Sequence, residues 1–260
     1  MNFNELINQI KGLGDIYGVT MEEKGVSLLG RPIYAFHVGD KKGDQIIITA
    51  AIHAREWITA FLVVELVKMY ANKKFDGGIW FVPLCNPDGV EIAMRREPLW
   101  KANARSVDLN VNFDADWGGG AQNIRVPGSE NFIGEYPNSE PEVGALIDLT
   151  LKIKPKATIA YHSKGEVIYY GFEPSDGRAT QEKLERDRIL AYKVGEVTGY
   201  EPIKTKNSTG GYSDWVSMHL GVPALTIEVG CDDLEHPIGL DQLPKIFEQN
   251  REVPMVMLLN

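Results

Sequence analysis

Residues 46–57, IIITAAIHAREW, constrain this chain more than any other stretch. The run opens apolar and β-branched, as a buried strand does, and passes through three alanines to His53 and Glu56. A buried strand ending in His-x-x-Glu holds two metal ligands where a sheet edge meets solvent. Catalytic zinc takes three protein ligands and keeps one position for water, commonly with two ligands from a short spacer and one from far along the chain. The same residues also read as a capped helix start with a satisfied histidine beside it. Spacing alone leaves both readings open.

The rest of the chain alternates strand and helix patterns. A helix is expected over 4–16, and strands over 33–38 and 45–51 flank the turn at 39–43, which suggests an antiparallel pair. Apolar residues at helical spacing cover 56–70, and strand 79–84 runs into Asn86-Pro87-Asp88-Gly89, a strong turn signal. Residues 90–138 show little periodicity, the mark of a long functional loop. Ser139 followed by Glu142 predicts a capping box for a helix over 139–153. Strands at 156–162, 166–170 and 223–229, and helices at 179–199, 211–219 and from 241, complete an α/β chain with a central mixed sheet and helices on both faces.

Within that layout His162 ends a strand, as His53 does, and ligands in open α/β sheets gather beyond the carboxyl ends of strands. Glu228 sits in the apolar strand TIEVG, where a carboxylate is costly to bury without a partner. Of the other histidines, His37 reads as an ordinary strand residue, and His219 and His236 as surface or structural ones. A formal net charge of -9 excludes a basic footprint for nucleic acid. No basic-then-apolar leader and no long apolar span are read, so a cytoplasmic protein away from membranes is expected. Two cysteines, Cys85 and Cys231, are too few for a disulfide scaffold.

Seven segments in order, 25–39, 46–57, 81–89, 99–113, 157–165, 209–215 and 225–230, resemble the zinc metallocarboxypeptidases, the M14 peptidases, over essentially the whole chain. The resemblance implies one catalytic domain over 1–260 and one Zn²⁺ held by His53, Glu56 and His162. It also implies Glu228 as the catalytic glutamate and Asp108 as the carboxylate behind His53. Trp100-Lys101 matches the family's Trp-Arg motif, giving Lys101 the oxyanion role with Arg105 in reserve; lysine keeps the charge but lacks the bidentate fork.

Two departures bear on substrate. The family's Asn-Arg clasp for a terminal carboxylate is Asn110-Val111 here, and Lys206 stands where the family places a tyrosine. DLNVNF and TGGYSDW with IEVG resemble the bacterial murein peptide amidases and γ-D-glutamyl-L-diamino acid peptidases. The implied reaction is hydrolysis of the γ-D-glutamyl-diaminopimelate bond in a wall peptide such as L-Ala-γ-D-Glu-meso-Dap. Arg125, Lys206, Arg95 and Arg96 are available cations, with Arg125 favoured, and Asp214, Asp232 and Asp233 available anions. The alternatives are a metallocarboxypeptidase acting on ordinary peptides with unusual C-terminal specificity, and a non-catalytic peptide or wall-fragment binding protein.

Overall fold

The computed structural model describes residues 2–260. Its strands are β1 (Thr20–Val26), β2 (Pro32–Gly39), β3 (Gln45–Ala50), β4 (Gly78–Val82), β5 (Ala157–His162), β6 (Val167–Tyr170), β7 (Glu201–Lys204) and β8 (Ala224–Glu228). The helices are α1 (Phe3–Gly12), α2 (Ile58–Tyr70), α3 (Pro87–Arg95), α4 (Pro141–Ile153), α5 (Gln181–Thr198), α6 (Tyr212–Leu220), α7 (Leu243–Asn250) and α8 (Val253–Leu259). All strands join one sheet in the order β1-β2-β4-β3-β5-β8-β6-β7. The central four, β4, β3, β5 and β8, run parallel; β2 and β6 flank them antiparallel.

Why the central strands read as continuous apolar runs follows from what covers them. Successive side chains of a strand point to opposite faces. Ile46 and Ile48 of β3 enter the core shared with α2, α7 and α8, whereas Ile47 enters the one shared with α4 and α6. Both faces are thus buried, and the buried polar residue of β3, Thr49, donates from Oγ1 to Ile159 O at 3.3 Å. The result is a single-domain α/β fold with a mixed sheet between helical layers. Among the described residues, no helix is long and apolar enough to cross a membrane.

Several local expectations are corrected. β2 and β3 do not pair with each other; β4 lies between them, antiparallel to β2 and parallel to β3. The reason is Gly77-Gly78. The loop after β2 wraps the start of β4, with Asp40 N–H donating to Gly77 O at 2.7 Å and Gly78 N–H to Asp44 O at 2.8 Å. A Cβ on Gly78 would run into the His37 imidazole and the Gln45 carboxamide, and Gly77 holds φ +84°.

Asn86-Pro87-Asp88-Gly89 is not a free turn but the start of α3, with Asn86 Oδ1 accepting from Gly89 N–H at 3.0 Å. Turns and helix N-termini use the same residues, because both need an early proline and a side-chain acceptor. Ser139 does not cap α4. Glu140 occupies the N-cap, Ser139 donates to it, and Glu142 instead accepts from Leu28 N–H across the domain. The strands β1 and β7 carried no sequence signal, since edge strands need no buried alternation and neither contains a fully buried residue. The C-terminal helix is two helices, α7 and α8, separated at Arg251 and Glu252.

The irregular stretch after α3 is held by buried amides rather than by ladders. Asn112 Nδ2 donates to Ile133 O at 2.9 Å, Tyr136 O at 3.1 Å and Ser139 Oγ at 3.0 Å. Asn112→Ala is expected to lower stability by about 1–3 kcal/mol, because carbonyls buried with it lose their donor. A urea denaturation midpoint equal to wild type would show that this tie is dispensable.

Candidate active site

Where β3 ends, the chain turns sharply: Ala51 adopts φ 49°, and its N–H donates to Thr59 Oγ1 at 2.9 Å. A short 3₁₀ turn, Ala54–Glu56, follows with His53 as its N-cap. At three residues per turn, side chains at i and i+3 eclipse, so this turn stacks His53 directly against Glu56. His162 closes β5, which pairs directly with β3, Ala50 standing opposite Tyr161. Glu228 closes β8 and is the register partner of His162. Three neighbouring parallel strands therefore deliver the four residues to one end of the sheet.

The first three converge. His53 Nδ1 lies 2.8 Å from Glu56 Oε1, and His162 Nδ1 lies 3.0 Å from Glu56 Oε2. The two Nδ1 atoms are themselves 3.0 Å apart. Two imidazole nitrogens aimed at each other beside a carboxylate need a proton or a metal cation among them. Zinc–nitrogen bonds of about 2.0–2.1 Å at the tetrahedral angle bring two ligand nitrogens to about 3.3 Å. His53, Glu56 and His162, all buried, therefore fit a single zinc ion.

Behind His53, the buried Asp108 places Oδ1 3.2 Å from Nε2, a contact not aligned as a hydrogen bond. Asp108 also accepts from Asn110 N–H and Asn131 N–H, each at 3.1 Å, and pairs with Lys101 Nζ at 3.0 Å. One carboxylate thus braces both a metal ligand and the nearby cation. Burial alone would raise Asp108, but Lys101 and His53 outweigh it and hold its pKa well below the usual carboxylate range. Glu56 behaves alike: burial opposes ionisation, and the two histidines prevail. Glu228 goes the other way. Burial, opposed by His162 and reinforced by the Glu56 charge, pushes it up to about 8. Two carboxylates kept ionised beside one whose pKa is raised towards neutrality separates the groups that hold charge from the one suited to moving a proton.

These residues open onto a cleft of about 510 Å³ whose wall includes His53, Lys101, Asn110, Val111, Lys206 and Glu228. Asn110 Oδ1 is already used by Tyr212 N–H at 3.0 Å. Arg105 and Arg125 do not line the cleft. Arg105 is bound to Glu140 at 3.2 Å, and Arg125 lies over the Trp117 ring at 5.3 Å. Both are drawn off by partners that sequence proximity to the motif did not reveal. Asp214 does line the cleft; burial, opposed by Gly211 N–H, pushes it up to about 7. Arg95, Arg96, Asp232 and Asp233 stand outside the wall. Two of the other three histidines are occupied elsewhere: His37 contacts Gln45 Oε1 at 3.1 Å, and His219 contacts Asp114 O at 2.8 Å, while His236 Nδ1 is buried without a partner. Sequence reading missed Tyr169, Ser213 and Thr226, which also face the cleft. Tyr169 and Thr226 are placed by strand register, which no local pattern carries, and Ser213 by the first turn of α6.

A His-x-x-Glu pair and a distant histidine, set with a buried glutamate at the carboxyl ends of a mixed sheet, define a zinc metallopeptidase. The family model Peptidase_M14, zinc carboxypeptidase, matches residues 18–253, and the chain belongs to that family. It is 29% identical over 285 residues to γ-D-glutamyl-L-diamino acid endopeptidase 1 of Lysinibacillus sphaericus, covering 95% of this chain and 69% of that protein. It is 30% identical over 224 residues to carboxypeptidase A1 of Sus scrofa, covering 74% of this chain and 52% of that one.

Among solved structures, bovine thrombin-activatable fibrinolysis inhibitor, in complex with tick carboxypeptidase inhibitor, superposes with a TM-score of 0.87 at 23% identity, covering 100% of this chain and 96% of that one. Murein-tripeptide amidase MpaA from Escherichia coli O157 gives 0.65 at 21% identity, with 91% of each chain covered. At these identities the two structures speak for the fold alone.

Proposed function

We propose that this zinc peptidase removes a polar residue from a peptide end, acting as a metallocarboxypeptidase of unusual terminal specificity. The observation that carries the reading is the wall beyond Glu228. Val111 lines the cleft and stands where the family resemblance puts the arginine of the terminal-carboxylate clasp, while Lys206, Ser213, Thr226 and Asp214 make that wall polar. An apolar terminal side chain gains little from such a surface.

When bound, zinc supplies a Lewis acid that polarises the scissile carbonyl and lowers the pKa of water. Glu228 takes the proton of the attacking water and passes it to the leaving amine, as base and then acid. Lys101, held by Asp108, faces the oxygen on which negative charge develops, a favourable placement in a water-poor site. Asn110 and Lys206 hold the terminal residue.

A second reading is favoured by the match along 95% of the chain to an endopeptidase named for γ-D-glutamyl-L-diamino acid bonds. Here the terminal residue is diaminopimelate in a peptide such as L-Ala-γ-D-Glu-meso-Dap. A non-catalytic binding role sits poorly with a complete ligand set and base. Chromatographic assay of the zinc-loaded protein on that tripeptide, its lysine analogue and α-linked peptides with polar or apolar ends tests all three. Fastest turnover of apolar-ended α-peptides would overturn the polar-subsite reading, and no turnover of any would overturn hydrolysis. Cleavage confined to the γ-linked tripeptide would select the second reading.

A further inference from the structure

We propose that Tyr169 and Lys206 form a paired donor wall that binds a carboxylate of the substrate's terminal residue. The inference rests on the peptidase reading for its substrate, but its binding site stands on the geometry of β6, β8 and the loop that leaves β7. β6 runs antiparallel to β8, with Val167 opposite Glu228 and Tyr169 opposite Thr226. Opposed residues of an antiparallel pair share a face, and diagonal neighbours lie within reach of an aromatic side chain. Tyr169 thus stands on the same face as Glu228, one diagonal step away, and lines the cleft with it. On its other side β6 pairs with β7, Tyr169 matching Ile203 and Tyr170 matching Lys204. Thr205 N–H then donates to Tyr170 O at 2.8 Å, fixing the backbone immediately before Lys206. Tyr169 from β6 and Lys206 from the loop that leaves β7 both line the cleft.

Several groups around them are already engaged, although Asn123 Nδ2 and Thr209 Oγ1 elsewhere on the cleft wall are buried without a partner. Asn110 Oδ1 serves Tyr212 N–H, Thr226 Oγ1 donates to Ser213 Oγ at 2.9 Å, Asp214 Oδ2 serves Gly211 N–H at 3.0 Å, and Lys101 is paired with Asp108. The Tyr169 hydroxyl and Lys206 ammonium make no hydrogen bond or ion pair among the described residues, and Tyr169 is 36% exposed. Burial, together with the charges of Glu228 and Asp232, raises the phenol's pKa, so it remains a donor. A phenol O–H can donate and an ammonium can only donate, so together they suit an anion, one giving direction and the other charge. An amine at the same place would meet Lys206 as a like charge. Lys206 also offsets the repulsion a bound carboxylate would feel from Glu228.

The test uses the zinc-loaded protein with two small probes, pimelate and pentane-1,5-diamine, in calorimetric titrations of wild type, Tyr169→Phe, Lys206→Met and the double variant. Pimelate affinity is expected to fall about 10-fold or more in each single variant, the size of one lost hydrogen bond to a charged group. The double variant should lose less than the product of the two, as partners on one ligand do. Diamine binding should not weaken. In parallel, kcat/KM is compared on the fastest-cleaved peptide of the panel and on its terminal carboxamide. The variants should slow the acid and spare the amide, whereas a merely structural role would slow both alike. Pimelate that fails to bind wild type, or binds Tyr169→Phe equally well, overturns the inference. Variant-sensitive pimelate binding in a protein that cleaves no peptide would uphold it while removing the hydrolase reading.

Discussion

Glu228→Gln is expected to lose about 10²–10⁴-fold in kcat while still holding one zinc per chain. Glutamine keeps the shape of the side chain and cannot accept the proton of water. Metal content should not change, because the converging ligand atoms belong to His53, Glu56 and His162 alone. The same substitution should stabilise the metal-free protein. Burial raises the Glu228 pKa to about 8, so the folded chain binds more protons than the unfolded chain from the ordinary 4.5 up to about 8. Stability must then fall as pH rises through that window, and a neutral glutamine removes the fall. The gain should be absent below about pH 4.5 and complete above about pH 8. Loss of zinc in the variant would mean that Glu228 is a ligand, and full activity would mean that another group moves the proton.

That opposition of stability and activity also explains what could be read from the sequence. Ile46 to Ile48 announced a strand buried on both faces, and both cores use it. His53 and Glu56 were legible because their spacing matches one turn of 3₁₀ helix, a local relation. His162 and Glu228 were legible as polar residues ending apolar strands, where burial without function would be costly. What escaped was non-local. Whether β2 pairs with β3 or β4 depends on two glycines thirty-odd residues away in sequence from the loop that wraps them. Arg125 looked available until Trp117 was found beneath it, and Arg105 until Glu140 was found beside it. Tyr169 has no motif at all; only the β6–β8 register brings it beside Glu228. The ligand set is short-range chemistry repeated at strand ends, whereas the substrate wall is a product of strand order.

His162→Ala and Asp108→Asn should separate holding the metal from using it. His162 supplies one of three ligands, and its loss should weaken zinc binding by more than the about 10–100-fold expected when a carboxylate behind a ligand is neutralised. Glu56 should stay in place in that variant, because Ser163 N–H donates to its Oε2 at 3.2 Å independently of the imidazole. Zinc titrated against a chelator would therefore report the missing ligand rather than a collapsed site. Asp108→Asn removes a different thing. It loosens His53 and also strips Lys101 of the counter-charge 3.0 Å away, leaving a nearly buried ammonium unpaired. Removing one partner of a buried pair costs more than the pair contributed, so Lys101 should swing towards solvent. Excess zinc should refill the Asp108→Asn site without restoring kcat, since the cation facing the oxyanion is displaced. Full recovery of kcat at saturating zinc would show that Asp108 acts through His53 alone. Unchanged zinc affinity in His162→Ala would remove that residue from the ligand set and, with it, the basis for a catalytic metal between β3 and β5.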